Sequence, residues 1–522
     1  MHRYPLIAVL IPLILFILIV DASYQREAPV YPKETTSYLV EVLANPVRRP
    51  NTWRMPVALL AYKQRDSIQV RLSSDVMNQA IIYLMVDSGV PLPRRSDRLW
   101  LTTRMVSISD STANLPAYYR QYLYHNDYPF TAVVYPDKWT LFSPNLLPDL
   151  YRSTPLRRRI AAHFEHQRQR LLNYYHTLFH PVDSRSAIFP TIPLSDRFSL
   201  LESLSIGQRQ HLSEQVKHDF SASGISHLLA LSGFHLVILL FPFFWWQKLD
   251  RRFGTRIVQA LLIVLTMTYF TYLSGAPISL CRASLLLASC YILSLFSTQI
   301  SILNNLFLVA IVMLIAHPLW LFDVGFQLSF TAVLSIRLFH PLLRITIPGK
   351  NAIADPMPRW QKPLIRYLWD PLSVALAAQI GTFPLVVYHF NQFALYAIFA
   401  SVVMIPIITP LLYLAWGMPL VHLAISQFGQ IISHDFSSFS KLLDHLFAPF
   451  LSTLLGAMLY VARTVNQLPS ASIHFRELQW FELTINYGIV FCIYRLLKTK
   501  KYLFYSMVLL ILIFLLLNLS RF

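Results

Sequence analysis

From residue 227 to residue 519 the chain returns again and again to apolar runs of bilayer-crossing length. They lie at about 227–246, 257–273, 281–297, 302–318, 321–338, 371–390, 394–415, 417–433, 479–497 and 502–519. A membrane-spanning helix needs roughly 20 such residues. Lipid offers no water to a bare backbone, so runs of this kind must close their own hydrogen bonds as helices. Composition agrees: 55% of the 522 residues are hydrophobic and 13% charged, where soluble domains carry ~25% charged. A mean hydropathy of +0.46 is too high for one water-soluble core. With 13 Gly, 3 Cys and long apolar runs, disordered, collagen-like and disulfide-stapled classes are excluded. The cysteines (Cys281, Cys290, Cys492) all lie in apolar segments without a CxxC pair and read as small buried side chains.

A polar block precedes this region. Asp21 to Gly224 holds 24 basic and 18 acidic residues, against 19 and 8 from Ile225 to Phe522, within a formal charge of +18. Ahead of the block, Leu6 to Val20 is an apolar run after Arg3 and reads as an uncleaved anchor, residues 1–22. Anchor and apolar runs together give about 11 spans. With the N-terminus in the cytoplasm, alternation places three basic loops inside: Lys248 to Arg256, Arg337 to Arg366, and Arg495 to Lys501. The polar block then falls outside the cytoplasm. The mixed segment 434–478, with Asp435, Lys441, Asp444 and Arg463, reads as an amphipathic helix on or partly in the membrane, ahead of a C-terminal pair of spans at 479–522.

Within residues 30–150 the texture is of short strands. Ser37–Leu43, Ser67–Leu72, Ala80–Val86, Arg98–Arg104 and Phe130–Tyr135 alternate or run apolar between Pro, Asn, Asp and Ser clusters. Five strands in this length predict a small β-barrel of the OB-fold kind. Such a barrel binds single-stranded nucleic acid in some proteins and is a bare scaffold in others. The connector 151–223 carries an amphipathic helix in which Arg157, Arg158 and Arg159 flank Ile160 and Phe164. A basic helix of this kind suits lipid or phosphate, and equally a solvated face. His163 and His166 have no third ligand nearby, so no metal is assigned.

Polar groups inside spans are costly and face a cavity or a partner. The core 224–433 has four such clusters. The first is Gly224-Ile-Ser-His-Leu-Leu-Ala-Leu-Ser-Gly-Phe-His235, where His227 and His235 share no helix face and Ser232-Gly233 can break the helix. The second holds Arg282, the third Asp323 and Gln327, the fourth Gln379. Hydrogen bonds that tie a bundle together explain these groups as readily as a permeation path does. The sequence has no GxxxxGK[ST], no HExxH and no HxHxDH, so neither nuclease nor ATPase chemistry is expected, and no cofactor.

At these clusters the sequence resembles the ComEC-type competence proteins, inner-membrane channels for DNA uptake. The first cluster is similar to the family's tGlsHlLAiSGlH signature. Leu200-Leu-Glu-Ser-Leu-Ser-Ile-Gly-Gln-Arg209 stands where the family has its aLllG-[DE]-R segment, and Asn114-Leu-Pro-Ala-Tyr-Tyr-Arg-Gln-Tyr-Leu123 resembles its npg-FdY-yL run. Arg282-Ala283, Asp323–Phe330 and Gln379–Pro384 follow in the family's order. The chain departs at Gln208, where an acid is usual, at Ser401, where Asn is frequent, and in lacking the C-terminal metallo-β-lactamase-like domain of many members. The resemblance implies translocation of single-stranded DNA across the plasma (inner) membrane in natural transformation. The implied path residues are His227, Ser232, Gly233, His235, Arg282, Asp323, Gln327 and Gln379, with weaker contacts at Arg157, Arg158 and Arg159. Implied partners are single-stranded DNA, membrane lipids, a separate DNA receptor, a separate cytoplasmic motor and a homo-oligomeric copy. Two other readings stay open: a transporter or channel for a small anion or lipid-linked precursor, and a non-conducting membrane scaffold.

Overall fold

The structure is a computed structural model. It describes residues 7–23, 35–43, 46–48, 52–64, 67–70, 79–85, 92–93, 97–108, 128–141, 156–179, 191–249, 253–295, 301–344, 365–432 and 437–498, with a few isolated positions besides. The chain divides into two compact units, one of residues 9–169 with 313–323 and one of residues 170–312 with 324–522 and 1–8.

The first unit holds helix α1 (Ile7–Ser23) and a nine-stranded sheet. The strands are β1 (Thr36–Val42), β2 (Val47–Arg48), β3 (Trp53–Gln64), β4 (Ser67–Val70), β5 (Gln79–Leu84), β6 (Arg98–Thr103), β7 (Val106–Ser107), β8 (Phe130–Val134) and β9 (Trp139–Leu141). They run β7-β8-β5-β3-β1-β6-β9, with β2 and β4 also on β3. The pair β5–β8 is parallel and the others are antiparallel. Alternate residues such as Val40, Val57, Ile82, Leu101 and Ala132 fill one core, as the two-residue strand period requires. The register slips between Leu39 and Val40, which leaves Leu60 of β3 as a bulge. A bulge bends its strand and strengthens the local twist. The sheet curls accordingly, and the Thr103 hydroxyl on β6 donates to the Val133 carbonyl on β8 at 2.8 Å.

All five expected strands are present. The longest strand, β3, was not expected, because Pro56 demotes a run to an edge or a loop. Here β3 is central. In an antiparallel strand a residue's N–H and C=O face the same neighbour. Pro56 faces β1 just beyond the last β1–β3 pair, Val42–Val57, and its carbonyl accepts from the Leu43 N–H at 2.9 Å. The missing donor therefore breaks no rung.

The second unit is helical. It takes in the C-terminal end of α2 (Leu156–Phe179), then α3 (Leu194–Ile206), α4 (Glu214–Ala222), α5 (Ser226–Leu229), α6 (Gly233–Leu249), α7 (Phe253–Leu273), α8 (Ile278–Leu295), most of α9 (Ile302–Ala316), α10 (Val324–Leu343), α11 (Asp370–Phe390), α12 (Ala397–Ile432), α13 (Ser437–Asn466) and α14 (Trp480–Lys498). Among the described residues, five helices are long and apolar enough to cross a membrane: those at 254–273, 324–343, 370–390, 397–425 and 442–466. Shorter apolar helices lie at 9–18, 233–246, 278–293 and 302–316.

Two boundaries differ from expectation. The runs 394–415 and 417–433 form one helix, α12, which continues through Pro406, Pro410 and Pro419. Proline is tolerated in such helices because neighbours re-satisfy the freed backbone groups. The segment read as an interfacial helix is α13, apolar across residues 442–466. Its charges stand near its two ends, Asp444 and Arg463, with none of Asp, Glu, Lys or Arg between. The helix is amphipathic as expected, and it is also long and apolar enough to cross a membrane. The expected span 502–519 lies outside the described residues, apart from Ser506 and Val508.

One apolar core joins α2, α3 and α4 to α12 and α13 through Tyr175, Leu201, Phe220, Leu411, Leu455 and Met458. The Tyr175 hydroxyl donates to the Ala415 carbonyl at 2.9 Å, and Trp416 Nε1 to that of Ser205 at 3.0 Å. A second core joins α6, α7 and α8. The turn before α12 carries β10 (Gln392–Ala394), which pairs with β11 (Ser472–His474) just after α13.

Candidate functional site

The site is built around two turns. Helix α3 ends at Gly207, whose φ is 77°, with the Gly207 N–H on the Ser203 carbonyl and that of Gln208 on the Glu202 carbonyl. Glycine tolerates this left-handed cap without strain. A Cβ there would also lie 2.8 Å from the Leu231 side chain. The second turn is at Gly224 (φ 73°), where a Cβ would come within 2.4 Å of the Ala397 Cβ. Both motif glycines thus press the signature segment against its neighbours.

The helix breaks as the Ser232-Gly233 pair suggests. Helix α5 ends at Leu229, Ala230 is extended, and α6 begins at Gly233. The break frees backbone carbonyls, but serines of neighbouring helices take two of them. Ser203 Oγ donates to Leu229 O at 3.2 Å, and Ser279 Oγ to Leu231 O at 2.9 Å. Those carbonyls tie α3 and α8 to the break and do not stand open to a path.

His235 is fully buried. Its Nδ1 lies 3.3 Å from Ser232 Oγ, while its Nε2 has no hydrogen-bond partner among the described residues. His227 is exposed and its Nδ1 donates to the Gly224 carbonyl at 3.3 Å. Arg282, on α8, is buried, with its guanidinium 5.7 Å from the centre of the Phe330 ring on α10. That is cation–π distance. The next residue, Ala283, faces Gly233: a Cβ on Gly233 would lie 3.5 Å from the Ala283 Cβ. That is an ordinary van der Waals distance, so α6 and α8 are in contact here with room for a methyl group.

On α10, Gln327 Oε1 accepts from His389 Nε2 of α11 at 2.9 Å. Gln379 stands half-buried on α11, two residues before Gly381, whose added Cβ would lie 2.4 Å from Ser335 of α10. Asp323 directly precedes α10, its N–H on the Trp320 carbonyl, and groups with the first unit. Arg157, Arg158 and Arg159 lie in the opening turns of α2, and their side chains fall outside the described residues. The structure thus brings together His227, Ser232, Gly233, His235 and Arg282, and links Gln327 to them through the Phe330 helix.

Sequence reading missed Phe330, His389, Ser203 and Ser279, whose roles depend on which helix lies opposite. It also missed the pair formed by buried Glu202 and half-exposed His211, with Oε2 2.6 Å from Nδ1. That hydrogen bond raises the His211 pKa. Burial pushes the Arg209 guanidinium down, without bringing a group of its strength near neutrality. Around the break, bases outnumber acids, and Glu202 is already engaged. Among the described residues, no three His, Cys, Asp or Glu side chains are placed to hold a metal ion. The arrangement can concentrate an anion and hydrogen-bond it.

The family described as Competence protein matches residues 204–500. The chain belongs to the competence protein family, of the ComEC type. The match opens just ahead of the Gly207 turn and takes in the signature and every helix from α5 to α14. Among curated proteins, ComE operon protein 3 of Bacillus subtilis (strain 168) is 29% identical over 215 residues. That match spans 41% of this chain and a quarter of the relative's length. No solved structure matches the chain.

Proposed function

We propose that this competence protein conducts single-stranded DNA across the plasma membrane during DNA uptake, as a multi-pass channel whose sheet unit lies outside the cytoplasm. The observation that carries the reading is His235: a fully buried imidazole whose Nε2 has no hydrogen-bond partner among the described residues, at a helix break beside Ser232. Buried polar atoms are satisfied in the great majority of cases, and an exception asks for a reason. A phosphodiester passing the break would supply the missing acceptor, and the surrounding positive charge would draw it there.

Two further observations support the topology. One long α12 and a spanning α13 replace two spans and an interfacial helix, so the count of crossings is unchanged and the basic loops keep their sides. The β10–β11 pairing requires 392–394 and 472–474 to share a side, as alternation also does. The strand path β6-β1-β3-β5-β8, with β5 parallel to β8 and β6 touching β8, supports an OB-type barrel able to receive the strand before it enters. In this reading a separate receptor delivers DNA, a separate cytoplasmic motor pulls it, and the chain itself catalyses nothing.

The test is delivery of labelled DNA to the cytoplasm of a deletion strain restored with wild type, His235→Leu or Arg282→Met at matched membrane levels. At least a tenfold loss in both variants is expected. Wild-type uptake by a well-folded His235→Leu protein would return the cluster to a packing role.

A further inference from the structure

Between α12 and α13 lies a half-open cleft of about 190 Å³. Its lining is almost wholly apolar, with Met418, Val421 and Phe447 among it, and His422 and Asp444 stand at its margin. The Tyr174 hydroxyl donates to Asp444 Oδ1 at 2.7 Å, and His422 Nδ1 stands 4.0 Å from Asp444 Oδ2. Neither polar side chain is sealed: Asp444 is 27% and His422 44% exposed. The carboxylate therefore keeps lone pairs for a donor from outside. An exposed apolar surface rimmed by polar residues marks a binding groove, so this cleft suits hydrocarbon, with a polar head at the margin beside Asp444.

The surroundings say where such a molecule would come from. Leu420 and Leu423 on α12 and Leu442 and Leu446 on α13 are all more than half exposed. An apolar surface of this kind on a membrane helix pair faces lipid. Asp444 stands in the second turn of α13, near the start of a helix of spanning character. It is therefore placed toward the headgroup side of the helix pair.

We infer that this cleft is a binding site for a membrane phospholipid with a primary-amine headgroup. The ammonium bonds to Asp444, the headgroup phosphate lies toward His422, and an acyl chain fills the space beside Gly417. A primary ammonium gives a carboxylate charge-assisted hydrogen bonds that a trimethylated one cannot. An anionic headgroup without an amine would meet the Asp444 charge unfavourably. The inference is independent of the DNA path.

The full-length protein, purified in mild detergent from vesicles containing phosphatidylethanolamine, phosphatidylcholine and phosphatidylglycerol in equal parts, is read for retained lipid by native mass spectrometry. Phosphatidylethanolamine should be retained at least fivefold over the other two. Asp444→Asn should abolish the preference. Gly417→Leu should expel the lipid by filling its place, because a Cβ at Gly417 meets nothing within 4 Å and the variant can fold. Equal retention of the three lipids by wild type overturns the proposal, as does unchanged retention in a Gly417→Leu protein that melts like wild type.

Discussion

Two polar clusters of the helical unit make opposite use of the same kinds of residue. Where α13 ends, Arg463 lies 3.5 Å from Asp196 and 3.4 Å from Asp219, and Asn466 and Gln215 each donate to Asp219 at 2.9 Å. The charges there stand in ion pairs, although Asp219 Oδ2 accepts no hydrogen bond among the described residues, and the result ties α3 and α4 to α13. At the α5–α6 break, His235 is as deeply buried as Asp219, yet one of its nitrogens meets no acceptor. The ion-paired cluster is explained by what it holds together, whereas His235 Nε2 ties no helix to another among the described residues.

Gly224 lies in the chain between Asp219 of the first cluster and His227, next to Ala394 and Ala397. Gly224→Val should be the most damaging change. It forces an L side chain into a left-handed turn and against Ala397 and Ala394, at about 4 kcal/mol when strain and overpacking are added. Membrane protein level by fluorescence-detected size exclusion should collapse, and a normal monodisperse peak would contradict the packing described for both clusters. Next is Arg463→Met, which leaves buried Asp219 without its cation. Breaking such a pair costs about 3 kcal/mol, visible as a lower thermal midpoint in detergent. Wild-type melting would mean that the tie is decorative.

A smaller effect comes from the edge of the signature cluster. The Glu202 hydrogen bond raises the His211 pKa above its ordinary 6.5. A raised folded-state pKa means that its stabilisation is fully present below pH 6.5 and is lost as pH rises through the higher folded value. His211 is half exposed, so solvent screening holds the effect to no more than about 1 kcal/mol. Thermal midpoints of wild type should fall between pH 6 and pH 8.5 relative to His211→Asn, and parallel curves would remove this pair from the account. The smallest stability change belongs to His235→Leu, which removes a group with one unmet nitrogen and replaces it with hydrocarbon. A melting temperature within about a degree of wild type is expected, since apolar replacement of an unsatisfied polar group is close to neutral. A loss as large as that of Arg463→Met would erase the contrast between the clusters.

Much of this was legible in the residues. The five strands, the helical class, the helix break at Ser232-Gly233 and the order of the polar clusters all follow from local pattern, because strand and helix periods and glycine's conformational freedom act within a few residues. What failed locally failed for a reason of the same scale. Pro56 hid β3 because a short window cannot show that its missing donor points past the end of a neighbouring strand.

The site depended on assembly. Nothing in the order of residues says that Gln327 would meet His389, that Arg282 would lie over Phe330, or that Ser279 would occupy the Leu231 carbonyl. These contacts join residues 48 to 62 positions apart, and which helix lies opposite which is settled by the packing of whole faces. The sequence by itself determined that this chain has apolar helices of spanning character, a β-rich first unit and costly polar groups at known positions. Only the tertiary structure decided which of those groups were satisfied and which were left waiting, because satisfaction is a property of the partner across the interface and not of the residue.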